Sequence, residues 1–126
     1  MTLVLDAGAL VAIERGDRSV VALLKREHQA GRVPRSHGGI VGQVWRGGSG
    51  RQARLARLLP GVEIVPLDDA LGRRAGVLLG RARTSDEVDA AVVLLAADGD
   101  IVLTSDVEDI VHLAHAAGLD VDVVPV

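Results

Sequence analysis

Three segments of this chain carry aspartates whose types and spacing could do chemistry. Asp6 closes the apolar run "TLVLD", Asp86 and Asp89 stand in "SDEVDAAVVLLA", and Asp106 and Asp109 repeat the same spacing in "SDVEDI". Residues three apart share one face of a helix. Carboxylates gathered at one place repel, so their convergence calls for a compensating cation. Hard oxygen donors, with no cysteine and few histidines in the chain, favour Mg²⁺ or Mn²⁺ over zinc. Such an ion activates water and stabilises the leaving oxygen of a phosphate, so metal-dependent phosphodiester hydrolysis is the natural chemistry.

The elements that must bring these acids together are legible in the pattern. "TLVLD" (2–6) reads as a buried strand, and "AGALVAIER" as a helix closed by Gly16. Asp17 N-caps a second helix with Val20, Val21, Leu23 and Leu24 on its inner face. In "GRVPRSHGG", Val33 belongs to a short second strand that Pro34 truncates. Residues 40–47 read as a helix, "GGSG" as a turn, and 51–59 as one basic helix ended by Pro60-Gly61. "VEIVPLD" is a strand, and Asp68 or Asp69 caps a helix running to about Arg81. Helix 85–97, strand 101–105, helix 106–117 and a terminal strand in "DVDVVPV" complete the chain. This alternation predicts one α/β domain over residues 1–126, a three-layer α/β/α sandwich around a mostly parallel sheet.

Open parallel sheets place their sites beyond the carboxyl ends of the strands. Asp6 and Asp106 both follow strands and lie at that edge. Helix 85–97 joins the next strand through a three-residue turn, so it runs antiparallel to that strand and begins at the same edge with Asp86 and Asp89. A structural role competes for some of these residues. Thr84-x-x-Glu87 and Ser105-x-x-Glu108 have the form of capping boxes, and Asp86 and Asp106 complement helix dipoles. Caps account poorly for Asp89 and Asp109 and not at all for Asp6.

The 126 residues carry a net charge of −3 that hides a polarity. Residues 1–83 hold all 14 basic residues against 7 acids, whereas residues 84–126 hold 10 acids and no Lys or Arg. Thirteen of the cations are arginines, whose planar fork suits phosphate. Arg46, Arg51, Arg54 and Arg57 recur at helical spacing, a candidate RNA-backbone track. Trp45, the only aromatic residue, reads as a core or dimer-interface residue, and His112 and His115 as surface helix residues. Zero cysteines exclude a disulfide scaffold and a thiolate metal site. The N-terminus lacks the basic start of a signal peptide, and no apolar stretch is long enough for a membrane span, so a cytoplasmic protein is expected.

Taken in order, "LVLDAGALVAI", "VGQVWRGG", "VEIVPLDDALGRRAGVLLG", "SDEVDAAVVLLA" and "VLTSDVEDI" resemble the PIN-domain family, and within it the VapC-like toxin ribonucleases. The resemblance runs over nearly the whole chain. It implies a Mg²⁺- or Mn²⁺-dependent endoribonuclease, a homodimer, and in toxin members a small antitoxin that blocks the site. Carried over by position, Asp6, Asp89 and Asp106 fall on the family's acidic site, with Asp109 as an accessory. The family's usual glutamate on the helix after the second strand falls at Gln43, which reads as a buried polar residue on an apolar face. A glutamine offers a neutral carbonyl oxygen or orients a water, but supplies neither charge nor a general base.

Gln43 therefore supports an alternative, a catalytically weak or silent PIN-fold domain that binds RNA or protein. A phospho-acceptor signalling domain fits less well. It wants paired acids after the first strand and a lysine after the last core strand, whereas Asp6 stands alone and the only lysine is Lys25.

Overall fold

The computed structural model describes residues 1–47 and 50–126. Five strands, β1 (Leu3–Leu5), β2 (Arg35–His37), β3 (Glu63–Val65), β4 (Ile101–Thr104) and β5 (Asp122–Pro125), form one sheet in the order β3-β2-β1-β4-β5. Every neighbouring pair is parallel. Seven α-helices among the described residues provide the connections: α1 (Ala7–Arg15), α2 (Arg18–Gln29), α3 (Gly38–Val44), α4 (Ala53–Leu58), α5 (Asp69–Ala82), α6 (Glu87–Leu94) and α7 (Val107–Ala116). α1 packs against α2, α3 and α4, while α5, α6 and α7 pack against one another, so the expected α/β/α sandwich forms.

The central strands are continuous aliphatic runs because both faces of a parallel sheet are covered. Leu3, Val4 and Leu5 are fully buried, as are Val102 and Leu103 opposite them. Several boundaries follow from local chemistry that the sequence displays. Gly16 closes α1 in the left-handed conformation at φ 72°, with its N–H returned to Ala12 and Ile13. Asp17 and Asp68 cap α2 and α5 by accepting from the amides of Val20 and Leu71. Asp100 is buried and accepts from the amides of Thr2 and Ala97, which ties the chain's start to the turn before β4.

The second strand lies on the other side of Pro34 from its expected place. Val33 is 54% exposed, and β2 is the polar triplet Arg35-Ser36-His37. Pro34 lacks a donor but lends its carbonyl to the Glu63 amide, so it introduces the strand and does not cut it short. Ser36 and His37 are buried with every polar side-chain atom partnered; the Ser36 hydroxyl donates to the Leu5 carbonyl at 2.8 Å. The expected basic helix at 51–59 is also broken up, into a 3₁₀ turn (Gly50–Gln52), α4 and a second 3₁₀ turn (Leu59–Gly61). The expected "GGSG" turn falls partly outside the described residues. No helix among the described residues is long and apolar enough to cross a membrane.

Candidate metal centre

The strand order reverses between β1 and β4: β2 and β3 build outward on one side, β5 on the other. Such a switch point opens a crevice beyond the carboxyl ends of the two central strands. Asp6 follows β1 and Asp106 lies just past β4, in register because the Asp6 amide donates to the Leu103 carbonyl at 3.0 Å. Asp89 comes to the same place from the first turns of α6. One carboxylate oxygen from each of Asp6, Asp89 and Asp106 lies within 4.8 Å of the other two. Asp6 and Asp89 are buried and Asp106 is exposed, so the cluster is walled on the protein side and open to solvent.

Asp6 is held at both oxygens. It is the N-cap of α1, with Oδ1 accepting from the Ala7 amide at 2.8 Å. Its Oδ2 accepts from the Thr104 hydroxyl at 2.6 Å, and Thr104 Oγ1 in turn accepts from the Asp106 amide at 2.9 Å. One buried hydroxyl therefore sets the spacing of two of the three acids. Gly8 keeps this corner tight. A Cβ placed there would stand 2.7 Å from Ser105 Oγ and 2.9 Å from the Ser105 backbone nitrogen.

Asp89 is positioned through α6. Asp86, exposed, is the N-cap of that helix and accepts from the Asp89 amide at 3.0 Å. His37, fully buried, bridges from the other side. Its Nδ1 accepts from the Gly39 amide at 3.0 Å, so Nε2 carries the proton and donates to the Val88 carbonyl at 2.9 Å. The Asp89 carboxyl is pushed up to about 7, by burial first and then by the charges of Asp6, Asp86, Asp106 and Asp109. Three carboxylates within reach of one another, with no imidazole or thiolate among them, form a donor set suited to a hard divalent cation.

Neither expected capping box forms. Asp86 takes the N-cap position of α6, and Asp106 occupies that of α7 without a side-chain capping bond. Each helix starts one or two residues later than the box pattern requires, which leaves Asp106 free to face the crevice. Asp109 is exposed on α7 and near enough to raise Asp89. Together with Ser105 and Glu108 it lines a shallow, acidic depression of about 320 Å³ beside the cluster.

Gln43 is exposed, contrary to its buried look in the sequence. α3 has only seven residues and buries Ile40 and Val44, and Gln43 lies about 100° around the helix from Val44. Trp45 is 39% exposed and is not a core residue.

The arginines expected as a track divide, with Arg54 and Arg57 lining one cavity beside α2 and Arg46 turned away from it. Arg46 folds back on the end of α3, donating to the carbonyls of Gly42, Gln43 and Trp45. Arg51 is exposed on the first 3₁₀ turn. Arg54 packs over Gly16, donating to the Glu14 carbonyl. His112 sets Nε2 against the Ala82 carbonyl and, like His115, stays on the surface.

The pattern of the sequence did not single out Thr104, His37 or Gln52. Gln52 is buried and makes four hydrogen bonds, from Nε2 to Glu14 Oε1 and the Val44 carbonyl, and at Oε1 from the Arg46 and Gly47 amides. It fixes the segment after α3 against α1. No protein-family model matches the chain, and no curated protein matches it either.

Proposed function

We propose that this chain is a divalent-metal-dependent endoribonuclease of the PIN-domain kind, the toxin of a type II toxin–antitoxin pair. The observation that carries the reading is the convergence of Asp6, Asp89 and Asp106 at the switch point of a parallel sheet. Asp6, Asp89 and Asp106 are the residues that would hold Mg²⁺ or Mn²⁺. When bound, the ion supplies activation of water and stabilisation of the leaving oxygen in phosphodiester hydrolysis. Thr104 and the Ala7 amide fix the orientation of Asp6, and Asp86 fixes the first turn under Asp89. Asp89, raised to about 7 by burial and then by its neighbours' charge, is only partly ionised near neutral pH, and a bound cation would favour its ionised form. Asp109 adds negative charge at the rim.

By the resemblance to that family the protein works as a homodimer on RNA, with a small antitoxin covering the acidic crevice. Gln43 favours a second reading, a silent PIN-fold domain that binds RNA or protein, because it leaves the helix after β2 without a carboxylate at that position. RNA incubated with the purified chain separates the two. The nuclease reading requires cleavage with Mn²⁺ or Mg²⁺ that stops on chelation and in Asp106→Asn; binding without cleavage supports the silent domain.

A further inference from the structure

Basic cavities lie in two places away from the acidic crevice. The smaller, of about 340 Å³, is lined by Arg73, Arg74 and Arg81 of α5, where Arg73 is paired with Asp69. α2 and α4 flank a cavity of about 560 Å³ whose walls carry Arg18, Lys25, Arg54 and Arg57 over an apolar floor that includes Val21 and Leu58. An adjoining cavity of about 300 Å³ shares Lys25, Arg57 and Leu58 with it and extends it toward Pro34 and Val62. The two form one groove along α2, whose 12 residues span about 18 Å. Among the described residues no Asp or Glu lines either cavity, and none of these four cations makes an ion pair. Arg54 and Arg57 instead donate to backbone carbonyls, of Glu14 and Ala53.

Cations without ion-pair partners along both walls of an elongated groove suit a linear polyanion better than one compact anion. Arg18 and Lys25 are two helical turns apart, about 10 Å, too far to close on a single phosphate. Gly16, in the groove's lining, closes the helix that begins at Asp6, about 15 Å along its axis from that residue. The groove continues toward Pro34 and Val62, at the amino ends of β2 and β3. A polyanionic substrate is repelled by the acidic rim, so it needs cations within a few nucleotides of the cluster. We propose that the α2–α4 groove binds the phosphate backbone of single-stranded RNA, a strand-holding site separate from the acidic cluster. The choice of RNA over another polyanion rests on reading the cluster as a nuclease centre. Arg46, spent on the end of α3, lies outside this site.

The test is binding of a 5′-labelled oligouridylate in EDTA, followed by fluorescence anisotropy at several salt concentrations. The chain is compared with the triple variant Arg18→Gln/Lys25→Gln/Arg57→Gln. All three side chains are exposed, and thermal unfolding checks that the variant folds. Losing three phosphate contacts makes the slope of log K against log salt shallower by about 2 and weakens binding about 100-fold at 0.1 M salt. A charge-matched variant on α5, Arg73→Gln/Arg74→Gln/Arg81→Gln, keeps the wild-type affinity.

Unchanged affinity in the groove variant, or an equal loss in the α5 variant, overturns the proposal. So does a groove variant that loses only polyglutamate binding, which marks a protein-docking face. Adding Mn²⁺ separates the two claims. Groove-dependent binding without cleavage keeps the site and removes the nuclease, and cleavage with groove-independent binding does the reverse.

Discussion

The Thr104 hydroxyl donates to Asp6 Oδ2 at 2.6 Å while accepting from the Asp106 amide, so the acids that end β1 and follow β4 share one buried oxygen as their spacer. Thr104→Val keeps the shape and removes the hydroxyl. It leaves a buried carboxylate oxygen and a backbone amide without their partner, at a cost of about 1–3 kcal/mol. The melting temperature should drop accordingly and Mn²⁺ affinity should fall with it, while Thr104→Ser should restore both. Equal Mn²⁺ affinity in Thr104→Val would show that the spacer is dispensable.

The raised Asp89 carboxyl makes a signed prediction. Its ordinary value is 3.8 and its folded value about 7, so between these the folded protein keeps a proton that the unfolded chain releases. The stability it contributes is complete below about pH 4 and is lost as pH rises through 7. In EDTA, the difference in melting temperature between Asp89→Asn and wild type should therefore grow in favour of Asn from pH 5 to pH 8. Saturating Mn²⁺ should stabilise the wild type and reverse the order at pH 8. A difference that does not change with pH contradicts the assignment.

Gly8 tests the fit of α1 against the β4–α7 corner. The Ser105 backbone nitrogen, 2.9 Å from where a methyl group on residue 8 would stand, cannot swing aside as a side chain could. Gly8→Ala should force the corner apart, costing about 1–3 kcal/mol as overpacking does. Chemical denaturation measures the loss, and a Mn²⁺ titration shows whether Asp6 and Asp106 have separated.

Gln43→Glu asks whether the neutral residue on α3 belongs to the site. Gln43 is exposed, so the substitution is tolerated by the fold. If residue 43 belongs to the centre, the added carboxylate should tighten Mn²⁺ binding and speed RNA cleavage. No change in either places Gln43 outside the site.

The alternation of aliphatic strands with capped helices was visible in the chain because burial on both faces of a parallel sheet leaves an unbroken Leu-Val-Leu or Ile-Val-Leu signature. Asp6 and Asp106 were visible for the same reason, as they stand where those runs stop. β2 was not, because Arg35-Ser36-His37 has no apolar pattern; its burial comes with hydrogen bonds to Leu5 and Val88, which only the assembled sheet supplies. Thr104 was hidden as a β-branched residue finishing a strand. Thr84 and Ser105 looked like caps because the motif is local, whereas Asp86 and Asp106 take those positions in the structure.

Asp6→Asn probes the proposed metal centre of Asp6, Asp89 and Asp106 with the least change of shape. Asparagine still accepts at an N-cap, so the Ala7 amide keeps its partner. The new side-chain amide can donate to the Thr104 oxygen, which already accepts from the Asp106 amide, at the cost of the hydroxyl's own acceptor. The variant should fold, as thermal unfolding will show, and should lose Mg²⁺- and Mn²⁺-dependent cleavage of RNA. Cleavage at the wild-type rate by folded Asp6→Asn would remove Asp6 from the reaction and assign the activity to a contaminating nuclease.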